Sequence, residues 1–170
     1  MSKFLKLSMA IIFASFVLIS CSDDDNSPTD FNATDSDFQN FRTWTLVAEK
    51  KGADPALGGM AHGGNDENVT RKIYIKQNVS VGSNGEYPIG TIVVKESLQG
   101  DGSILAITAM TKRDKSFNSS HKGWEWFMLA ENGAIGKDAN GDLMRGANLM
   151  DGMCSGCHAG ASAKDYVFTK

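Results

Sequence analysis

Residues 154–158 read Cys-Ser-Gly-Cys-His, close to the C-terminal end of a 170-residue chain. A CxxCH stretch is the attachment signature of a c-type haem. Two thiols at this spacing can bond to the two vinyl groups of one porphyrin, and the histidine that follows can give an imidazole nitrogen to the iron. The stretch therefore predicts one covalent haem c, attached through Cys154 and Cys157, with His158 as the axial ligand of its iron.

The position of CxxCH also bears on the fold. Small all-α cytochromes carry this motif near the N-terminus and take a methionine ligand from downstream, whereas no Met or His follows His158. Any sixth iron ligand must then come from upstream, or the sixth position is open. An open position indicates ligand binding or catalysis rather than pure electron transfer.

Other interpretations of the CxxCH stretch stay open. A redox disulfide is expected in a thioredoxin-like βαβ context, which the chain lacks. A zinc site needs two further ligands, and the chain has no second CxxC or HxxxH motif. A last hypothesis is a lipoprotein binding module in which CxxCH is incidental and no haem is held.

Upstream, short apolar and β-branched runs alternate with turn-like stretches. The runs cover residues 44–48, 71–75, 91–94, 104–110 and 124–129. Glycine, asparagine and aspartate are concentrated in the stretches between them. Consecutive short strands joined by turns predict a mainly β (α+β) single domain, an antiparallel five-stranded sheet with a few short helices.

Two of these helices can be placed on the sequence. One precedes the first strand, with Asp35 or Ser36 as its N-cap and Phe38 and Phe41 on its buried side. The other covers residues 143–150 and leads into the CxxCH stretch. Both predictions depend on local patterns alone.

The first twenty residues have the features of an export signal. Lys3 and Lys6 form a basic start, and the apolar segment 7–19 is too short to span a bilayer as a helix. The segment ends in a run that resembles a lipoprotein lipobox, which predicts lipidation of Cys21 and a stable membrane anchor. The sequence thus predicts an extracytoplasmic lipoprotein, with the outer membrane favoured and its periplasmic or surface face left open.

These features divide the chain into three parts. Residues 1–20 are the predicted signal peptide, 21–37 a flexible acidic tether, and 38–170 the haem domain. The net charge is −3, and the mature chain holds no basic block, so nucleic acid is excluded as a partner. All three cysteines are used by lipid or haem, so the domain is expected to be stable without a disulfide.

The order of these motifs resembles the cytochrome P-460 and cytochrome c-prime-beta family over nearly the whole domain. CxxCH followed by Lys-Asp-Tyr-Val-Phe-Thr carries most of the resemblance. Residues 41–44, 71–75, 90–96 and 124–127 resemble successive strands of the family. The resemblance implies a β-rich homodimer whose haem is held by two thioethers and His158, with an open or water-occupied distal face.

The resemblance also assigns three residues to the distal haem pocket. Arg71 matches an arginine of that pocket, and Lys95 matches the lysine that cross-links to the porphyrin in the hydroxylamine-oxidising P-460 branch. A plain solvated strand lysine is the alternative for Lys95. Thr108 falls where the P-460 branch has a glutamate that handles protons. Without that carboxylate, proton removal from hydroxylamine lacks its general base, which favours gas binding.

Three functions follow from these patterns. In the first, the open iron face binds nitric oxide or a similar diatomic ligand. In the second, which Lys95 motivates, the protein is an oxidoreductase acting on hydroxylamine or a peroxide. In the third, it passes electrons to an unidentified redox partner protein. That role needs six-coordinate iron, with an upstream ligand such as His62 in the glycine-rich loop 52–64, although an exposed loop position is the plainer interpretation of His62.

Overall fold

The structure, a computed structural model, describes residues 29–53 and 66–168. In this part of the chain six strands form one antiparallel sheet, in which sequence neighbours are also neighbours in space. The strands are β1 (Thr45–Lys51), β2 (Thr70–Ile75), β3 (Ile92–Leu98), β4 (Ile104–Lys112), β5 (Trp124–Leu129) and β6 (Arg145–Gly146). The predicted antiparallel, mainly β single domain is confirmed, and the short β6 is the strand that local patterns did not indicate.

Side chains alternate between the two faces of this sheet, as in any β-strand. We call one the closed face; it carries Tyr74, Val94, Ile107, Ala109 and Phe127. We call the other the pocket face; it carries Ile73, Lys95, Thr108, Met110 and Trp126. Ile73 and Tyr74, which are neighbours on β2, therefore lie in the two different core clusters.

The predicted N-terminal helix packs on the closed face as α1 (Asp35–Phe38). Phe38 is fully buried, with its ring centroid 5.0 Å from that of Phe127, and Phe41 is buried beside it. The N-cap is Thr34 rather than Asp35 or Ser36. The reason is a capping box, in which the Asp37 carboxylate accepts a hydrogen bond from the Thr34 backbone N–H at 2.9 Å.

The segment before α1 is also part of the folded unit. Ala33 is buried, and its carbonyl accepts a hydrogen bond from Arg145 at 2.6 Å. Asp30 forms an ion pair with Arg113 at 2.6 Å, and both arginines also bond the buried carboxylate of Glu125. The folded unit therefore begins near Asp30, inside the range predicted as a flexible tether.

The predicted helix over residues 143–150 is wrong. Arg145 and Gly146 pair with β5 instead, and Gly146 has a φ of +144°, which a helix cannot accommodate. The helix that leads the C-terminal segment is α2 (Met153–His158), within the CxxCH stretch itself. Neither described range contains a helix long and apolar enough to cross a membrane.

Candidate haem site

A cavity of about 430 Å³ is lined on one side by the pocket face and on the other by α2 and the C-terminal segment. This volume falls within the usual range for small-molecule and cofactor sites. Most of the lining side chains are apolar, and they come from β2, β3, β4 and β5 as well as from α2. The meander thus supplies a continuous wall, against which the CxxCH segment closes.

One short helix brings together the three residues predicted to hold haem. Gly152 precedes α2 with a φ of +80°, and a Cβ there would come within 2.9 Å of the Asn148 side chain, so glycine suits this entry. Helical spacing then places Cys154 and Cys157 on the same side of α2, with His158 next to them. All three line the cavity.

The imidazole of His158 is held by three neighbours. Its Nδ1 lies 2.6 Å from the Tyr166 carbonyl oxygen, so Nδ1–H donates and Nε2 keeps a free lone pair. The ring packs against Trp126 and Phe168, with centroid distances of 4.7 and 5.4 Å. Burial lowers the pKa of His158 to about 4, which keeps the imidazole in the neutral form that binds metals.

The residues present fit a haem c. Both cysteines of α2 are free thiols, as thioether formation requires, and they stand beside a neutral imidazole in a largely apolar cavity. The indole N–H of Trp126 is buried and has no hydrogen-bond partner among residues 29–53 and 66–168. Because buried donors are usually satisfied, this one is available to a group in the cavity.

The three residues predicted for the distal pocket lie together on the sheet wall. Lys95 and Thr108 are direct cross-strand partners, and Ile73 and Met128 continue the same row on either side. Arg71 lies further along β2, where its guanidinium donates a hydrogen bond to the Gly52 carbonyl. All three predicted residues line the cavity that the CxxCH residues also line.

The wall is cationic rather than acidic. Burial, with a smaller contribution from the nearby charge of Arg71, lowers the pKa of Lys95 to about 8. Lys50 is a third cationic residue of the lining. No carboxylate belongs to the cavity lining within the described ranges. The cavity therefore offers hydrogen-bond donors and positive charge. Its described lining has no carboxylate that could accept a proton.

Sequence reasoning missed a buried ion pair that anchors the C-terminal segment. Lys112 Nζ lies 3.0 and 2.8 Å from the two carboxylate oxygens of Asp165, and both side chains are almost completely buried. The partners are 53 positions apart. In the sequence, a lysine at the end of a strand and an aspartate in a polar tail both look like solvent-exposed charges. No local pattern could therefore have indicated that they pair.

Other predicted residues fall outside this picture. Cys21, the signal peptide and His62 lie outside the described residues. His121 lies on a short 3-10 helix, with its ring centroid 5.2 Å from that of Tyr166. In the part of the chain that is described, no three His, Cys, Asp or Glu side chains cluster as ligands for a bare metal ion.

Comparison with known proteins identifies the family. The model of the family described as Cytochrome P460 matches residues 38–169, which is most of the chain. No curated protein matches the sequence. The chain belongs to the cytochrome P460 family, as the sequence resemblance predicted, and this membership implies a covalently attached haem c.

Proposed function

We propose that this member of the cytochrome P460 family holds one haem c through Cys154, Cys157 and His158 and binds nitric oxide or a similarly small ligand. In this proposal His158 coordinates the iron through Nε2, because Nδ1 is occupied by the Tyr166 carbonyl. A haem so held supplies an iron with one coordination position left for a diatomic molecule. Lys95 and Thr108 line the cavity that would hold this haem.

The composition of the sheet wall carries this choice. Oxidation of hydroxylamine requires proton removal, for which a general base must lie near the reacting atoms. Thr108 stands in the middle of the wall, and the described lining contains no carboxylate. The Thr108 hydroxyl and the Lys95 amine can instead donate hydrogen bonds to a bound diatomic that draws negative charge from the iron.

The test is optical. The chain is produced with haem c maturation factors, and a pyridine haemochrome spectrum establishes the haem type. Reduced protein is then exposed to nitric oxide and, separately, to carbon monoxide. We expect a clear Soret shift with both gases. A six-coordinate, low-spin spectrum indifferent to either gas would contradict the proposal and support the electron-transfer alternative, with His62 as a candidate upstream ligand.

The position of Lys95 favours a second candidate, a P-460-type oxidoreductase. The same cavity is lined by Lys95, Cys154 and Cys157, and the lowered pKa of Lys95 leaves more of its amine neutral and nucleophilic at mildly alkaline pH. A lysine bond to the porphyrin, as the family resemblance implies for the P-460 branch, is compatible with this arrangement. Hydroxylamine and peroxide are the substrates to test.

Denatured mass analysis of the haem peptides distinguishes the two candidates. In the oxidoreductase, Lys95 joins the haem peptide, and Lys95→Ala abolishes both the cross-link and turnover with an artificial electron acceptor. Lys50→Ala is the matched control, because Lys50 also lines the cavity and is not expected to bond the porphyrin. Equal haem mass and equal turnover in wild type and Lys95→Ala would exclude this candidate.

Membrane attachment is a separate part of the proposal. The export signal and the cysteine that follows it support lipidation of Cys21, and an outer-membrane location on the periplasmic or surface face. Cell fractionation should find wild-type protein with outer-membrane lipids and the Cys21→Ser variant in a soluble fraction. Retention of Cys21→Ser in the membrane would rule out the lipid anchor.

A homodimer is proposed as the assembly. Leu105, Met150 and Met153 line the cavity, yet their exposed fractions are 42, 44 and 64%. A second copy would cover such an apolar rim. Sedimentation of the Cys21→Ser variant should give twice the monomer mass, and Met153→Glu should lower it. A monomer at all concentrations would exclude the homodimer.

A further inference from the structure

The turn that follows the CxxCH helix has an unusual backbone. Asp165 and Tyr166 are both left-handed, with φ values of +49° and +66°. Non-glycine residues seldom adopt this conformation, and it persists where the surrounding structure over-determines it. The turn is close to the iron site, because the Tyr166 carbonyl is the group that accepts the hydrogen bond from His158.

The first of these two residues is held from the sheet. The Asp165 carboxylate is completely buried and bonds Lys112 Nζ through both oxygens. One of these oxygens also accepts a hydrogen bond from the Tyr87 backbone N–H at 2.8 Å. Lys112 ends β4, the strand whose centre carries Thr108. The pair therefore ties the left-handed turn to the wall of the haem cavity.

The second residue is held at its two ends. The Tyr166 backbone N–H donates to the Ala161 carbonyl at 2.9 Å, and its phenol donates to the Ser120 carbonyl at 3.1 Å. With Asp165 fixed on one side, the direction of the Tyr166 carbonyl is determined. That direction decides how strongly the His158 N–H is bound, since hydrogen bonds weaken steeply with misalignment.

We propose that Lys112 and Asp165 are positioning residues for the axial histidine: their buried pair fixes the turn that aims the Tyr166 carbonyl at His158 Nδ1. The inference rests on the proposed function, because it takes His158 as the iron ligand. A firm hydrogen bond from the second ring nitrogen orients the imidazole and raises its basicity toward the metal. The pair thereby sets the strength of the iron–histidine bond and lowers the reduction potential.

Three variants of the haem-loaded protein test this role. Asp165→Asn keeps the shape and one acceptor for the Tyr87 N–H. Lys112→Met leaves a buried carboxylate without its partner, which is strongly destabilising. The double variant leaves no unpaired charge, so it keeps the test informative if Lys112→Met does not fold. Lys112→Arg is the conservative rescue, because it retains the charge opposite Asp165.

The measurements are the iron–histidine stretching frequency, by resonance Raman spectroscopy of the reduced protein, and the reduction potential. We expect Asp165→Asn and the double variant to lower the frequency and raise the potential, and Lys112→Arg to stay near wild type. Arg42→Met is the matched control, because it breaks the Arg42–Glu96 pair, whose N–O distance is 2.7 Å, on the closed face. It should lower the melting temperature and move neither property.

Three outcomes overturn the proposal, and the last can be told apart from the first two. If wild-type protein attaches haem but Asp165→Asn and the double variant keep both values, the pair is merely a structural anchor. Equal shifts in Arg42→Met would also reject it, because any loss of stability would then have the same effect. If wild-type protein attaches no haem, the proposed function itself fails.

Discussion

The two faces of one sheet have opposite roles in this protein. The closed face is covered by aromatic and aliphatic side chains from α1 and its flanking turns, and Phe38 and Phe127 pack there in direct contact. The pocket face is built from the same strands with the same alternation, yet its cover leaves a cavity of about 430 Å³. Side-chain packing on the closed face stabilises the fold, whereas the pocket face leaves space for a cofactor.

The charges around Lys95 differ from those of the closed face. On the closed face the buried carboxylates of Glu96 and Glu125 are paired with arginines. On the pocket face burial and the nearby charge of Arg71 both lower the pKa of Lys95, and no carboxylate is among the described groups that act on it. Lys95 is half-buried, and a partly desolvated cation without an acidic partner among the described residues is unfavourable in a folded chain. Such groups concentrate at functional sites.

The largest expected effect on stability comes from truncating a buried side chain of the closed face. Phe38→Ala should lower the free energy of unfolding by about 3–5 kcal/mol, because it removes a fully buried ring. Urea denaturation of the haem-loaded protein measures this loss, while the Soret spectrum should stay unchanged.

Thr108→Val tests the pocket face. It should alter the gas-bound spectrum, and it should lower the free energy of unfolding by about 1 kcal/mol or less. Equal spectral changes in Phe38→Ala and Thr108→Val would contradict the claim that the two faces have different roles.

A smaller effect is expected from the ion-pair network of the closed face. Glu125→Gln should lower the free energy of unfolding by about 2 kcal/mol, because the buried carboxylate bonds Arg145 at 2.7 Å and Arg113 at 3.3 Å. The exposed Glu131→Gln is the control and should stay within about 0.5 kcal/mol of wild type. Thermal denaturation of both variants measures the difference. A loss as small as that of the control would show that the network does not stabilise the fold.

The pocket face should respond in the opposite direction. In protein without haem, Lys95→Met should raise the free energy of unfolding at pH 7 by about 1 kcal/mol, since it removes a desolvated cation. Burial lowers the pKa of Lys95 to about 8, against 10.5 for an ordinary lysine. Between these values the unfolded chain binds more protons than the native one, so wild-type stability rises with pH.

The advantage of Lys95→Met should therefore be full below about pH 8 and fade towards pH 10.5. Urea titrations of wild type and variant at several pH values measure it. Lys51→Met is the control, because it removes a lysine that is exposed to solvent. A Lys95→Met difference that is constant from pH 7 to 10 would mean that burial does not perturb this lysine.

The smallest expected effect on stability concerns Asp30, where the folded unit begins. Hydrogen bonds from Arg113 and from the Asp114 backbone hold the pKa of Asp30 well below its usual value of 3.8. Asp30→Asn should lower the free energy of unfolding by only about 0.5 kcal/mol at pH 7, because the pair is partly exposed. The difference should be present above about pH 4 and disappear as acid protonates the native carboxylate. A difference that grows on acidification would contradict this sign.

Much of the fold could be predicted because it depends on local patterns. Apolar alternation marked β2 and β5 nearly to their ends, and Phe38 and Phe41 were expected to be buried. The helix predicted over residues 143–150 failed because a long-range partner, β5, captures Arg145 and Gly146. Helix propensity over a short window cannot account for a strand partner that lies so far away along the chain.

The sequence by itself determined the chemistry of this protein and the faces of its strands. The spacing of Cys154, Cys157 and His158 is a covalent requirement, and strand alternation assigns side chains to faces with a period of two residues. Only the tertiary structure decided which distant groups meet. It placed Lys95 opposite the CxxCH helix, paired Lys112 with Asp165, and turned the Tyr166 carbonyl towards the histidine. Such contacts depend on how the chain closes on itself, because buried charges and hydrogen bonds are satisfied by whichever partner the fold brings near.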